Sequence, residues 1–114
     1  MTILISSHFK KQIKSYFRKH KNLLNDVINS LKMFDKNNAI NLGHHVYKIR
    51  LKSSDLRKGK SGGFRLIILL VEIDNLITPV ALYFKGSQAN ISKKEITYHI
   101  DVITEEMKKY AGAK

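Results

Sequence analysis

Lys48, Arg50, Lys52, Arg57, Lys58, Lys60 and Arg65 put seven basic side chains into a stretch of chain that holds one acid, Asp55. The first three recur at steps of two. In an extended strand that spacing places them on one face, about 6.8 Å apart. Like charges opposed on a sheet repel by roughly 0.2–1 kcal/mol per pair, so a sequence that keeps them has a use for a cationic face. Such a face can hold a polyanion, and it can stabilise negative charge that builds up on a phosphate. The plainer alternative is a solvated sheet face without a ligand.

Other chemistries fit less well. Gly59-Lys60-Ser61 has the look of the end of a nucleotide-binding G-x-x-x-x-G-K-[ST] loop. The first glycine of that pattern would fall at Ser54, and Gly62-Gly63 lead into a strand rather than the helix that a phosphate loop requires. The glycines read better as a turn with a close backbone approach. His44 and His45 are adjacent, so within a strand they would face opposite ways and could not chelate a metal from one side. H-x-x-x-H and D-x-D spacings are absent, and the nine carboxylates form no evident catalytic pair. An enzyme built on this sequence is expected to work without a metal or a cofactor.

The rest of the chain must position that basic stretch. Its 114 residues suit one domain, 1–114, and can bury a core without staples. Cysteine is absent, and the net charge is +12 with an isoelectric point near 10. That surplus attracts polyanions. The N-terminal "MTILISSHFK" lacks the apolar core of a signal peptide, and the aliphatic run Leu66–Val71 is too short to span a bilayer. A soluble cytoplasmic protein with no membrane partner is expected.

Thr2–Ser6 reads as a short strand. A helix follows, with Ser6 or Ser7 as N-cap and Phe9, Ile13, Tyr16 and Phe17 on one face. Asn22 can cap a second helix, whose stripe is Leu24, Val27, Ile28, Leu31 and Phe34; the two make a helical hairpin. The Asn-rich Asp35–Gly43 reads as a loop. Alternation then takes over, with His45, Tyr47, Ile49 and Leu51 on one face and Val46, Lys48, Arg50 and Lys52 on the other. Further strands are expected at Phe64–Ile73 and about Thr78–Lys85, with Pro79 near the start of the latter. Ser92 and Glu95 form a capping box, and Ile91 and Ile96 a hydrophobic staple, at the head of a final helix with Ile96, Ile100, Ile103, Met107 and Tyr110 on its buried stripe. The order β-α-α-β-β-β-α predicts an α+β fold: an antiparallel sheet with an N-terminal helical hairpin and a C-terminal helix.

The segment "HVYKIRLKSSDLRKGKSGGFRLI" resembles the central block of the RelE/ParE toxin superfamily, in particular its RelE and HigB branch. That block has a "YKIRL" strand, a "GKSGG-R" turn and a long strand. The resemblance continues through "ALYFKGSQANISKKEI" (Ala81–Ile96), and the order of elements agrees. It implies a RelE-like fold and the toxin of a type II toxin–antitoxin system, partnered by a cognate antitoxin. RelE-like members enter the ribosomal A site and cut mRNA there, by metal-independent attack of the ribose 2′-OH on the adjacent phosphate.

By position, Lys48 and Arg50 match the basic pair of the "YKIRL" strand, Arg65 the arginine after the glycine turn, and Lys85 the basic residue ending the last strand. These four are the catalytic candidates that the resemblance implies; Lys52, Arg57, Lys58 and Lys60 are candidates for RNA binding. Some members place a tyrosine or histidine near the end of the last strand, where this chain continues "GSQANIS". Candidates for the acid or base are then Tyr98 and His99 on the final helix, or His44 and His45 before the first basic strand. His99 lies beside the Ile96/Ile103 stripe, where packing is the competing role. Two other functions compete: a ParE-like gyrase inhibitor, and a non-catalytic RNA- or ribosome-binding relative. The extended "RKGKSGG" turn and the Lys48/Arg50 strand favour the ribonuclease.

Overall fold

The computed structural model describes residues 1–52 and 63–112. Its centre is strand β4 (Phe64–Val71), a nearly continuous aliphatic run. Such a strand must be covered on both faces. Phe64, Leu66, Ile68 and Leu70 face one hydrophobic layer and Ile67 faces the other. β4 pairs antiparallel with β3 (Val46–Arg50) on one side and with β5 (Leu76–Phe84) on the other. β2 (Ile40–Gly43) lies outside β3, and β1 (Thr2–Ile3) outside β5, giving the order β1-β5-β4-β3-β2.

Helix α1 (Ser7–Ile13) starts where expected: Ser6 Oγ accepts the Phe9 N–H at 3.0 Å. The chain tightens into a 3₁₀ turn at Lys14–Tyr16 before α2 (Leu23–Lys32). Asn22 occupies the N-cap position of α2 but makes no side-chain capping bond there. Phe9, Ile13, Leu23, Val27 and Leu31 from this pair bury against Leu66, Ile68 and Leu82. Each such side chain contributes about 1.5–3 kcal/mol by leaving water. Helix α3 (Lys93–Gly112) covers the opposite face, where Ile96 and Ile103 join Val46, Ile67, Val80 and Ala81. The capping box is formed: Ser92 Oγ accepts the Glu95 N–H at 3.1 Å and meets Glu95 Oε1 at 3.3 Å. Among the described residues no helix is long and apolar enough to cross a membrane.

Four expectations need correction. Asp35–Gly43 is more than a loop: after a 3₁₀ turn at Lys36–Asn38 it forms β2, so the meander has four strands. All four β2 residues are exposed, and a strand held by backbone pairing alone leaves no hydrophobic period to read. The sheet is mixed rather than wholly antiparallel, because β1 runs parallel to β5. His44 and His45 are turn rather than strand residues. They form the two-residue connection between β2 and β3, both left-handed at φ 52° and 67°, as the right-handed twist of a hairpin requires. Pro79 sits inside β5, at a register shift opposite Ile67/Ile68. Its missing N–H is tolerated there. The extra residue also reverses the alternation, so Ile77 and Leu82 reach the same layer.

The outer edge of β5 is closed by a side chain. β1 covers only Leu76 and Ile77. Beyond it, Gln12 of α1 donates from Nε2 to the Val80 carbonyl at 3.2 Å and accepts the Leu82 N–H on Oε1 at 2.7 Å. One amide thus supplies the two bonds that an adjoining strand would make.

Candidate nucleic-acid interface

The basic strand residues come together as the alternation predicts. Tyr47, Ile49 and Leu51 point to the helical-hairpin layer, and Val46 to the α3 layer. Lys48 and Arg50 therefore stand on the α3 face. Arg50 pairs across β3–β4 with Arg65, and Arg65 pairs across β4–β5 with Tyr83. Direct partners hold their Cβ atoms about 4.5–5.5 Å apart, so Arg50, Arg65 and Tyr83 form one row across three strands. Lys48 stands two residues from Arg50 on the same face. Arg65 is 9% exposed, Lys48 half-buried and Arg50 exposed.

Lys85 extends this group. It follows β5, and its N–H donates to the Gly63 carbonyl at 2.9 Å, which brings it beside the start of β4. Gly63 takes φ 63°, a left-handed value that a side chain would oppose. Lys52 is exposed just past β3, where Leu51 still donates its N–H to the Phe64 carbonyl at 2.9 Å. β2 stops opposite Lys48, so among the described residues no strand pairs with the outer edge of β3 at Arg50. There Arg50 and Lys52 also border a hollow of about 360 Å³ beside the end of α2. Arg57, Lys58 and Lys60 lie outside the described residues.

Tyr83 was not among the sequence candidates. It is two residues before Lys85 and 3% exposed, and its hydroxyl donates to Asn90 Oδ1 at 3.3 Å. Burial pushes the Tyr83 hydroxyl above the ordinary tyrosine range, and Arg65 pulls the other way. It is a neutral phenol packed beside a guanidinium. Alternation within "ALYFK" could have found it, since Tyr83 and Lys85 are two apart.

The remaining acid–base candidates stand elsewhere. His45 is exposed in the hairpin turn. Tyr98 and His99 face α1: His8 Nε2 and His99 Nδ1 are 2.7 Å apart, and the Tyr98 ring makes T-shaped contacts with both imidazoles. The face of α3 toward Lys48 presents Ile96, Thr97 and Ile100 instead. His99 is thus part of a polar contact between helices, rather than of the apolar stripe or the cationic row. Burial lowers its pKa, His8 lowers it further and Glu95 opposes both. Two turns along α3, Glu106 accepts the N–H groups of Ser7 at 2.7 Å and His8 at 3.1 Å. Burial alone would raise the Glu106 carboxyl, but these bonds at the head of α1 bring it below its usual value. Among the described residues, no group of three or more His, Asp or Glu could hold a metal ion.

A mixed five-stranded sheet with a helical hairpin on one face, a helix on the other and cations along β3 and β4 defines the class. The family profile described as the RelE toxin of the RelE/RelB toxin–antitoxin system matches residues 1–113, and the chain belongs to the RelE toxin family. Membership implies an antitoxin as partner. Among solved structures the chain is similar to a mutant of the E. coli toxin RelE in its free state, at 13% identity and a TM-score of 0.45, over 76% of this chain and 85% of that one. Comparison with curated proteins gave no match.

Proposed function

We propose that this toxin is a ribosome-dependent mRNA endonuclease that uses fixed cations in place of a metal. The observation that carries this reading is the row Arg50–Arg65 with Lys48 on the same sheet face. In the proposed reaction the ribose 2′-OH gives its proton to water as its oxygen attacks the adjacent phosphorus, and the bond to the 5′-oxygen breaks, leaving a 2′,3′-cyclic phosphate and a 5′-oxygen that takes a proton from water. Negative charge peaks on the phosphorane between the two steps. Guanidinium groups held on paired strands need little reorganisation to meet it, which is the condition for large electrostatic stabilisation. Arg65 is the best held of them, buried between Arg50 and Tyr83. Lys48 and Lys85 supply further charge, and Lys52, Arg57, Lys58 and Lys60 hold the strand electrostatically.

The cations supply charge but no strong base. The decoding site of the ribosome is therefore assigned the task of aligning the 2′-oxygen with the phosphorus, and alignment can be worth roughly 7–11 kcal/mol. The +12 surface brings the protein to ribosomal RNA. The test gives purified protein the same labelled mRNA free, with and without EDTA, and bound to a programmed ribosome with an empty A site. Discrete A-site cuts and intact free RNA are expected. Efficient cutting of free RNA removes the ribosome dependence, and its loss in EDTA removes the metal-free mechanism. DNA damage on induction, without RNA cuts, moves the chain to the gyrase-inhibitor reading.

A further inference from the structure

Beside Lys48 lies a groove of about 570 Å³ between the β2–β3 hairpin and the first two turns of α3. Its apolar lining includes Val46, Ile91, Ile96 and Ile100, and its polar lining is His44, Lys48, Asn90, Lys93 and Thr97. The orientation of Asn90 is fixed by its neighbours. Oδ1 accepts the Ile91 N–H at 2.9 Å and the Tyr83 hydroxyl at 3.3 Å. An N–H donor requires an oxygen there, so the amide cannot be flipped, and Nδ2 is the group that Asn90 offers to a ligand. Lys48 and Lys93 likewise only donate. The groove thus combines an apolar floor, a donor-rich rim and an exposed imidazole on the hairpin turn.

We propose that this groove is a subsite for one nucleotide of RNA, with the base on the Ile96/Ile100 floor beside His44 and its acceptor edge on Asn90 Nδ2. Unstacked RNA bases are recognised in this way, by stacking on a side-chain plane and by hydrogen bonds to their edges. The volume suits one small ligand. Continuity favours RNA over a peptide: Lys48 both lines the groove and stands beside Arg50 on the cationic face, so a phosphate there leaves its neighbouring base at the groove. A donor rim prefers a base that presents adjacent acceptors, such as the O6 and N7 of guanine, over adenine, which presents an N6 donor in that place. The proposal rests on the RNA-cleaving reading for the choice of ligand but does not require cleavage.

The experiment is a titration of the ¹⁵N-labelled full chain with guanosine 5′-monophosphate, adenosine 5′-monophosphate and ribose 5-phosphate, followed by NMR. Guanosine monophosphate should shift His44, Asn90 and Thr97 and bind tighter than adenosine monophosphate; ribose phosphate should leave those signals in place. Asn90→Asp keeps the acceptor for Tyr83 and Ile91 and removes the donor, so it should fold normally and weaken the guanosine ligand by about tenfold, within the range for one base-edge contact. Equal shifts with ribose phosphate, or shifts confined to other surfaces, overturn the subsite. So does an acidic amphipathic peptide that fills the groove where nucleotides do not. Groove binding by a protein that leaves ribosome-bound mRNA intact sinks the ribonuclease reading and keeps the subsite. Cutting with unchanged site preference in the Asn90→Asp protein does the reverse.

Discussion

Replacing Arg50 by Gln should make the protein more stable and less active. Arg50 and Arg65 are direct cross-strand partners, and Arg65 is 9% exposed. Their charges share a face on which solvent screens only one of them well. Opposed like charges on a sheet cost roughly 0.2–1 kcal/mol, and Arg50→Gln removes that term while keeping most of the side-chain stem. Because Arg50 is exposed, the change leaves no buried group without a partner. For a domain near 100 residues, 1 kcal/mol moves the melting temperature by about 4–8 °C. A rise of about 1–8 °C is therefore expected, and it should shrink in high salt, where exposed charges are screened. Cleavage on the ribosome should fall by about 10²–10³, the usual loss when one electrostatic stabiliser is removed. Calorimetric melts at low and high salt, run beside the cleavage assay, read both effects. A lower melting temperature with full cleavage would refute the reasoning, because Arg50 would then be holding the fold rather than the phosphate.

Gln12→Leu should lower stability by about 1–3 kcal/mol for each edge group of β5 left unsatisfied, read as a lower urea midpoint; an unchanged midpoint would show that water replaces the amide. Stability should also fall on acidification, in two stages. The folded pKa of His99 is lowered by burial and His8, so its contribution is complete above the unfolded value, near 6.5, and is lost as pH falls through the folded value. Glu106, also lowered, contributes above the unfolded carboxyl range and loses that contribution at still lower pH. Thermal melts from pH 8 to 4 on the wild type and on His99→Gln should differ mainly in the first stage, and identical profiles would remove His99 from the account.

The parts of this protein that were legible from sequence are those where one physical signal dominates. Ser6 or Ser7 reads as a cap because the pair immediately precedes an apolar helical period, and Ser92 because Glu95 follows three residues later; Ser6 and Ser92 make the capping bonds. Lys48 and Arg50 could be placed on one face because Tyr47, Ile49 and Leu51 mark the other. Strand β2 was not legible, since Ile40–Gly43 is held by the backbone of β3 and all four of its residues are exposed. The reversal of phase at Pro79 was hidden for a related reason. A bulge is a relation between β5 and β4, and neither strand states it alone.

The same limit governs the site. Charge is visible along a chain, so Lys48, Arg50 and Arg65 stood out without a structure, and the family resemblance added Lys85. Neutral groups that orient a site are visible only through their partners. Tyr83 gains a role because Arg65 is its cross-strand neighbour and Asn90 receives its hydroxyl. Asn90 gains one because a backbone N–H and a phenol together fix its oxygen, leaving its amide hydrogens for the groove. On the proposed reading, the position that decides which base is accepted is a neutral residue in a loop, and the positions that attract RNA are cations on strands. If so, substitutions at Asn90 should change which sites are cut, and substitutions at Arg50 or Arg65 should change how fast they are cut.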